Sequence, residues 1–532
     1  MTIDVREIII NTAAGSGARI AAIGIVLLTT PVLINHLGGE AFGLLTIVAA
    51  LPAYAGLLDF GIGAGLVKHF TEYSKYGDLS EYGGLVTEYS QYKDLNGVRQ
   101  VMTLSLSVYV LLGIVLTPII YLLAPDVVHL LKMPEEFSHT IELSIVIMFL
   151  FVIGSSIGGV FTARLISLHR MNVTAVIGLL GQIIYAALVF AVIPISPTVL
   201  TAVWLNVVPL VVTSLISYAA VLRMDKRICC NPLRISGSLI RKLFAFGGWM
   251  QLNRLSALVN LEADKLIIAI FLNVATVTPY QIGNRLASLN RIIPFQMLMA
   301  LMPSATMIQV DKTRKEDVEK FYREMSRYLM LIALMITGFT AITADRLIIT
   351  WIGRPYPQAT FIVIALGFSF AINNLTGGGT NIVQAAGQPR YETYYAVVSM
   401  LLNIGLTVAL APTFGLAGIL AGTIIGSSIG SIYFIVLFHR RFGFSWFQTM
   451  GNWLFRLVAT TVLACLGLHF LQAWVSAGWS ASRWAGLILL SMYGIAYLIC
   501  FAIGGILFGF WSDNDIEVSR RLMLKIAHSR RR

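Results

Sequence analysis

The hydrophobic pattern of this chain consists of long apolar runs separated by short polar segments. Each run has about 20 residues, the length at which an α-helix crosses the ~30 Å hydrocarbon core of a bilayer. The alternating ten-residue pattern of a membrane β-barrel is absent from the sequence, so the runs predict helices. We predict fourteen membrane-spanning helices, at residues 10–36, 41–65, 101–124, 141–167, 173–194, 199–222, 243–272, 277–303, 328–350, 357–386, 393–411, 414–438, 451–474 and 484–510.

Composition points to the same class of protein. Apolar residues make up 57% of the 532 residues and charged residues 12%, whereas soluble domains average about 45–50% and about 25%. These values exclude an ordinary soluble enzyme, a disordered chain and a fibrous repeat. The first run lacks the basic n-region and cleavage site of a signal peptide, so we expect it to remain as the first span.

The net charge of +12 is explained by membrane topology rather than by nucleic-acid binding, because the basic residues lie mainly in loops. An even number of spans places both termini on one side of the membrane. About 27 of the 38 Lys and Arg residues then fall on that side. We therefore expect both termini to be cytoplasmic, with 223–242, 311–327 and 520–532 carrying most of the basic excess.

Two weak internal matches indicate a repeat. The segment that follows Arg19 resembles the segment that follows Arg254, and residues 155–170 resemble 375–390. Both pairs keep their order, so spans 1–6 and 7–12 are predicted to be parallel copies related by an axis along the membrane normal, an architecture of transporters. We expect an N-terminal six-helix bundle, a cytoplasmic linker, a C-terminal six-helix bundle, and two extra helices with a basic tail, at residues 1–223, 224–242, 243–438 and 439–532.

Three sequence segments carry a family resemblance. They are GSGAR with HLGGEAFGLLTI, LLDFGIGAGLVKHF, and residues 385–430. They resemble the polysaccharide-repeat-unit (O-antigen or exopolysaccharide) flippases of the multidrug/oligosaccharidyl-lipid/polysaccharide exporter superfamily, whose relatives include the lipid II flippase and the MATE drug exporters. The resemblance covers nearly the whole chain. It implies a protein of the bacterial inner membrane that moves a lipid-diphosphate-linked oligosaccharide from the inner to the outer leaflet.

Five basic residues inside the predicted spans are candidates for substrate binding. A charge in a span costs several kcal/mol unless it is paired or hydrated, and guanidinium groups match phosphate oxygens bidentately. We therefore predict a cationic cavity for a diphosphate head group, in which Arg19 and Arg254 lie on facing helices. The candidates are Arg19, Arg254, Lys265, Arg285 and Arg291. Arg164 and Arg456, near span ends, are expected to snorkel toward water.

Acidic and polar residues inside spans are candidates for coupling transport to an ion gradient. A carboxylate at such a position can take up a proton or bind Na⁺, and neighbouring side-chain oxygens can add ligands. The candidates are Asp59, Glu262, Asp264, Asn403 and Thr407. An internal salt bridge is the alternative, because Glu262 and Lys265 stand three residues apart on a helix. No cofactor is expected beyond this coupling ion.

The sequence contains neither an HExxH motif nor a Walker A motif, so no enzyme is predicted. The string GSSIG occurs at 154–158 and 426–430, where helix packing by small residues explains it better than a nucleophile elbow. Asp513 and Asp515 could hold a metal-bound sugar nucleotide, although helix capping explains them better.

The leading hypothesis is a flippase that works by alternating access. An ion-coupled drug exporter of the same superfamily is the first alternative, and a membrane polysaccharide polymerase or glycosyltransferase is the second. The expected partners are a polyprenyl-diphosphate-linked oligosaccharide, the lipid bilayer and polysaccharide polymerase machinery, with no nucleic acid.

Overall fold

The computed structural model describes residues 5–59, 95–168, 170–224, 237–296, 315–386, 390–474 and 483–511, together with single positions between and after them. Every regular element in these residues is a helix. Residues 225–236 of the predicted linker, and the basic tail after position 515, lie outside the described residues. The predicted all-α class is confirmed.

The chain forms two compact units. Unit 1 comprises Met1–Gln281 and Thr407–Ile419, and unit 2 comprises Ile282–Leu406 and Leu420–Arg532. Unit 1 contains the helices α1 Val5–Leu37, α2 Gly39–Ala55, α3 Leu95–Leu130, α4 Ser138–Ser167, α5 Met171–Val192, α6 Val199–Met224 and α7 Gly237–Phe271. The predicted boundaries of the two sequence copies stay a prediction.

Helix α8 (Val274–Ala287) begins in unit 1 and ends in unit 2. Unit 2 continues with α9 Lys315–Ile352, α10 Pro357–Asn374, α11 Gly377–Ala385, α13 Asn452–Trp474 and α14 Arg483–Leu507. It also holds α12 Arg390–Phe442 except for the segment Thr407–Ile419, which belongs to unit 1. A 41° bend separates α10 from α11. The sequence pattern predicts a single span there, over 357–386, and the bend falls inside it.

Among the described residues, nine helices are long and apolar enough to cross a membrane, and the bent pair α10–α11 adds a tenth. The count of fourteen stays a prediction. Helix α7, predicted as span 7, is not among the nine, and its second half carries Arg254, Glu262, Asp264 and Lys265. This charge is expected of a helix that faces a polar interior rather than lipid.

Exposed apolar stripes mark the surfaces that face lipid. On α13, the side chains of Val458, Val462, Leu466 and Phe470 are 44%, 51%, 50% and 67% exposed at four-residue intervals. A soluble protein would bury such a stripe. The described helices therefore turn apolar faces outward, as a multi-pass membrane protein requires.

Small residues set the distance between helices in unit 1. The first GSSIG string lies on α4, where a side chain at Gly158 would collide with the hydroxyl of Ser214 on α6. Likewise, a Cβ atom at Gly181 of α5 would lie 2.8 Å from the methyl group of Thr213. The predicted role of this string in close helix packing matches these contacts.

The 53-residue helix α12 is two helices joined at Gly415, which has φ 57° and ψ −133°. A continuous helix of this length would measure about 80 Å, nearly twice the thickness of a bilayer with its head groups. Close contacts show that the chain reverses: a Cβ atom at Gly426 would lie 2.6 Å from the Asn403 nitrogen, and one at Gly430 would lie 2.7 Å from the Ser399 Cβ. These two helices match predicted spans 11 and 12.

Arginines tie α9, α13 and α14 together at both ends in unit 2. At one end, Arg456 of α13 donates to the Gly509 carbonyl over 2.6 Å and Arg327 of α9 donates to the Phe510 carbonyl over 3.0 Å. At the other end, Arg483 of α14 donates to the Ile352 carbonyl over 3.0 Å. Each bond satisfies a carbonyl at or beyond a helix C-terminus, which lacks a partner within its own helix.

A glycine-to-alanine pair on α12 tests the packing. Gly426→Ala is expected to destabilise the protein by about 1–3 kcal/mol, because the added methyl group overpacks the contact with Asn403. Gly405→Ala is the matched control, because a Cβ atom at Gly405 would meet nothing within 4 Å. The measurement is the apparent melting temperature of the purified proteins in detergent. Equal melting temperatures for the two variants would contradict the packing argument.

Candidate functional site

Arg19 and Arg254 are both exposed in the structure, and both belong to unit 1. Arg254 lies at the centre of the 35-residue helix α7. Arg19 lies near the start of the apolar part of α1, which runs over Gly17–Leu37. An arginine exposed inside a span requires water or head groups around it, because hydrocarbon does not solvate its charge. That the two residues face one cavity stays a prediction.

The Lys265 side chain is turned to an internal partner. Its Nζ atom lies 2.5 Å from Glu262 Oε2, and the two side chains are 7% and 26% exposed. The three-residue spacing that suggested this salt bridge therefore does bring the two groups together. Lys265 balances the charge of Glu262, so its ammonium group is already paired with a carboxylate in this conformation.

Asp264 lies beside this ion pair and is 3% exposed. It accepts a hydrogen bond of 2.8 Å from the hydroxyl of Tyr280 on α8. The buried Tyr54 hydroxyl on α2 lies near both carboxylates and hydrogen-bonds to neither of them. These five residues, all in unit 1, form what we call the acidic cluster.

Sequence reasoning missed both tyrosines of the acidic cluster. Tyr280 stands sixteen residues beyond Asp264, and Tyr54 is more than two hundred residues away from it. A tyrosine inside an apolar run has no spacing signal that marks it as a partner of a distant carboxylate. Only the packing of α2 and α8 beside α7 places the three elements around these groups.

The other predicted cations lie in unit 2. Arg285, on α8, is half-buried. Arg291 lies in the helical turns at 289–296, with its guanidinium carbon 5.9 Å from the centre of the Phe370 ring on α10. A cation at this distance over an aromatic face is held by the ring quadrupole. This contact orients the Arg291 side chain.

The remaining ion candidates are buried or lie outside the described side chains. Asn403 is 2% exposed and accepts a 3.4 Å hydrogen bond from Thr423. Thr407 is fully buried and donates a 3.5 Å hydrogen bond to the Ile419 carbonyl. Asp59 ends the short 3₁₀ helix Gly56–Asp59, and its side chain lies outside the described residues.

The structure shows that one expectation from the sequence, for Arg164, is wrong, and it decides between the two roles considered for Asp515. Arg164 does not snorkel: it is 0% exposed, lies 5.9 Å from the Phe70 ring centre and donates a 3.3 Å hydrogen bond to Ser167. The Asp515 carboxylate is engaged by Arg327 and by a 2.5 Å bond from the Tyr328 hydroxyl. It is therefore a structural partner of α9 in this conformation, and Asp513 lies outside the described residues.

An apolar cavity of about 670 Å³ lies between α9, α10 and α13 in unit 2. Its walls include Leu334 and Phe368, it opens at Leu466 onto the exposed stripe of α13, and the polar ring of His469 also borders it. It contains none of the predicted site residues. Within the described part of the chain, no three His, Cys, Asp or Glu side chains are grouped so that they could hold a metal ion.

Comparison with known proteins connects these features to a family. The sequence profile described as polysaccharide biosynthesis protein matches residues 6–309. A protein of Shigella flexneri, named as a candidate O-antigen transporter, is 21% identical over 388 residues, covering 73% of this chain and 87% of that protein.

Solved structures share the fold at low sequence identity. The lipid II flippase MurJ in an inward closed conformation has a TM-score of 0.69 and 12% identity, covering 93% of this chain and 99% of its own. An inward-facing multidrug resistance MATE family transporter of the MOP superfamily has a TM-score of 0.65 and 17% identity, covering 79% and 94%.

A double substitution tests the internal salt bridge. Glu262→Gln is expected to destabilise the protein by about 3–5 kcal/mol, because it leaves the buried Lys265 ammonium without its counter-charge. Adding Lys265→Met should recover most of this loss, since the ammonium group that lost its salt-bridge partner is then removed as well. The readout is apparent unfolding in detergent, with the exposed Glu316→Gln as control. A double variant no more stable than Glu262→Gln would show that the pair is not the source of the effect.

Proposed function

Because the chain belongs to the polysaccharide biosynthesis protein family, we propose that it is a flippase for a lipid-diphosphate-linked oligosaccharide. It carries the head group from the inner to the outer leaflet by alternating access. The observation that carries the proposal is the pair of exposed arginines in unit 1, above all Arg254 at the centre of α7. Such a position is compatible with a water-filled path for an anion.

The chemistry of the substrate matches these side chains. A diphosphate carries at least two negative charges, and each guanidinium group offers two parallel N–H donors to phosphate oxygens. Arg19 and Arg254 are proposed as the main contacts, with Arg285 and Arg291 as further contacts. Lys265 is a weaker candidate because Glu262 already balances its charge.

The acidic cluster supports a proposal for energy coupling. The side chains of Glu262, Asp264 and Lys265 together carry one net negative charge when all are ionised. A proton or a sodium ion taken up there would neutralise it, and its release on the other side would drive the cycle. Asn403 and Thr407 are proposed as further oxygen donors on this route. No Walker A motif occurs in the sequence, which favours a gradient over ATP as the energy source.

The family also supports a setting for this activity. The chain is proposed to lie in the bacterial inner membrane, with both termini in the cytoplasm, as the distribution of basic residues favours. Transport rather than catalysis is the proposed activity. The oligosaccharide would be delivered to polysaccharide polymerase machinery on the far side.

Arginine substitutions test the proposed cavity. Arg254→Ala is expected to reduce transport by about 10- to 100-fold, because each charge-assisted contact to phosphate contributes about 1.5–3 kcal/mol. Arg254→Lys should retain more activity, since it keeps the charge but loses the bidentate fork. Surface polysaccharide in a complemented deletion strain is the readout, normalised to protein in the membrane. The exposed Arg323→Ala is the matched control, and full activity of both Arg19→Ala and Arg254→Ala would refute the cavity.

Deletion of the gene tests the substrate class. Mass spectrometry of the extracted membrane lipids is expected to show an accumulated diphosphate-linked oligosaccharide, together with a loss of surface glycan. The mass of the accumulated species also constrains the sugar repeat. Normal lipids and normal glycan, combined with altered resistance to cationic dyes, would favour a drug exporter instead.

A further inference from the structure

The end of α12 and its connection to α13, residues 439–451, form a turn around Gly443 (φ 67°) that we call the elbow. Two basic side chains, Arg440 and Arg441, are exposed there. Two aromatic side chains follow within six residues and are also exposed, Phe447 by 80% and Trp446 by 37%. The elbow thus combines adjacent cations with aromatic rings that face away from the protein.

The elbow is held firmly against α9 by three polar contacts. Lys315 donates a 2.7 Å hydrogen bond to the Gly443 carbonyl, and Thr449 donates one of 3.1 Å to Glu319. The Tyr322 hydroxyl lies 3.1 Å from His439 Nε2. Because these contacts define the turn, Trp446 and Phe447 are presented outward by a well-packed element.

Buried aromatic rings reinforce this arrangement from inside. Phe438 and Phe444 are 1% and 7% exposed, and each packs against the Tyr322 ring, with centroids 4.8 Å and 5.9 Å away. The elbow therefore has its own apolar interior. Phe447 is not part of that interior, and Trp446 only borders it, with its ring centre 5.7 Å from that of His439. The exposed surface of these two rings therefore needs another explanation.

The depth of the elbow in the bilayer follows from the helix after it. Phe447 precedes the lipid-facing stripe of α13, which ends at Trp474, a residue that is 92% exposed. These two residues are 27 positions apart, or about 40 Å along a helix. This distance equals the bilayer thickness with its head groups, at whose two surfaces aromatic side chains concentrate. The elbow consequently lies at the level of the phospholipid head groups.

We propose that the elbow is a binding site for the head group of an anionic phospholipid. Arg440 and Arg441 contact the phosphate, and the rings of Trp446 and Phe447 insert beside it at the membrane interface. Charge complementarity selects this occupant, since basic side chains at head-group depth attract anionic lipids more than zwitterionic ones. Glu316 and Asp317 are exposed in the first turn of α9, the helix that holds the elbow. Lys315 and Lys320 on the same helix offset the negative charge of these two carboxylates.

The test is lipid retention by the full-length purified protein, measured by native mass spectrometry with phosphatidylglycerol or phosphatidylethanolamine added. Wild type should retain phosphatidylglycerol in preference. Arg440→Gln with Arg441→Gln should bind it about 30-fold more weakly, as expected for two basic residues near the surface. Arg170→Gln with Arg223→Gln removes the same charge from exposed positions in unit 1 and should leave retention unchanged. Arg440→Lys with Arg441→Lys should restore most of the binding.

Three results would overturn the proposal. Equal retention of the two lipids by wild type would show no recognition of the anionic head group. An equal loss in the Arg170→Gln/Arg223→Gln variant would show an effect of overall charge rather than of the elbow. Displacement of phosphatidylglycerol by polyprenyl diphosphate, in wild type but not in the Arg440→Gln/Arg441→Gln variant, would identify the transported lipid as the occupant. Melting temperatures of all variants confirm that each one is folded.

Discussion

Close contact between helix backbones is the constraint on which the rest of this structure depends. Inside a bilayer the hydrophobic effect does not drive one apolar helix onto another, so helices associate by tight packing at small residues. Gly158 and Gly181 serve this purpose in unit 1, and Gly426 and Gly430 serve it in unit 2. Because the helices approach so closely, the few polar side chains between them have fixed partners.

Arginine has two distinct roles in this chain. Arg327, Arg456 and Arg483 are bonded to carbonyl groups at or beyond helix C-termini, and they fasten α9, α13 and α14 together. Arg254, at the centre of α7, is instead exposed. The first group uses the guanidinium donors to hold helices together, whereas a contact of Arg254 with the substrate is a proposal.

The helices share their arrangement with solved flippase and drug-transporter structures at 12–17% identity. Such divergence leaves few individual residues in common, yet the requirements for lipid-facing apolar stripes and small packing residues are met by many sequences. The fold is therefore retained without close sequence similarity.

Local patterns in the sequence determined the features that depend on one helix at a time. The apolar runs predicted the helices, and the spacing of Glu262 and Lys265 predicted their contact; the orientation expected from the charge bias stays a prediction. The break between predicted spans 11 and 12 likewise coincides with the reversal at Gly415. Each of these features is fixed by residues within about one or two helical turns, or by hydropathy alone.

Contacts between distant segments were decided only by the tertiary structure. The bond from Tyr280 to Asp264, the burial of Arg164 and the pairing of Asp515 with Arg327 all have this character. The bend between α10 and α11 belongs with them, because an apolar run does not show where its helix is interrupted. Which side chains meet depends on the rotation and register of packed helices, and neighbouring residues in the sequence do not encode either quantity.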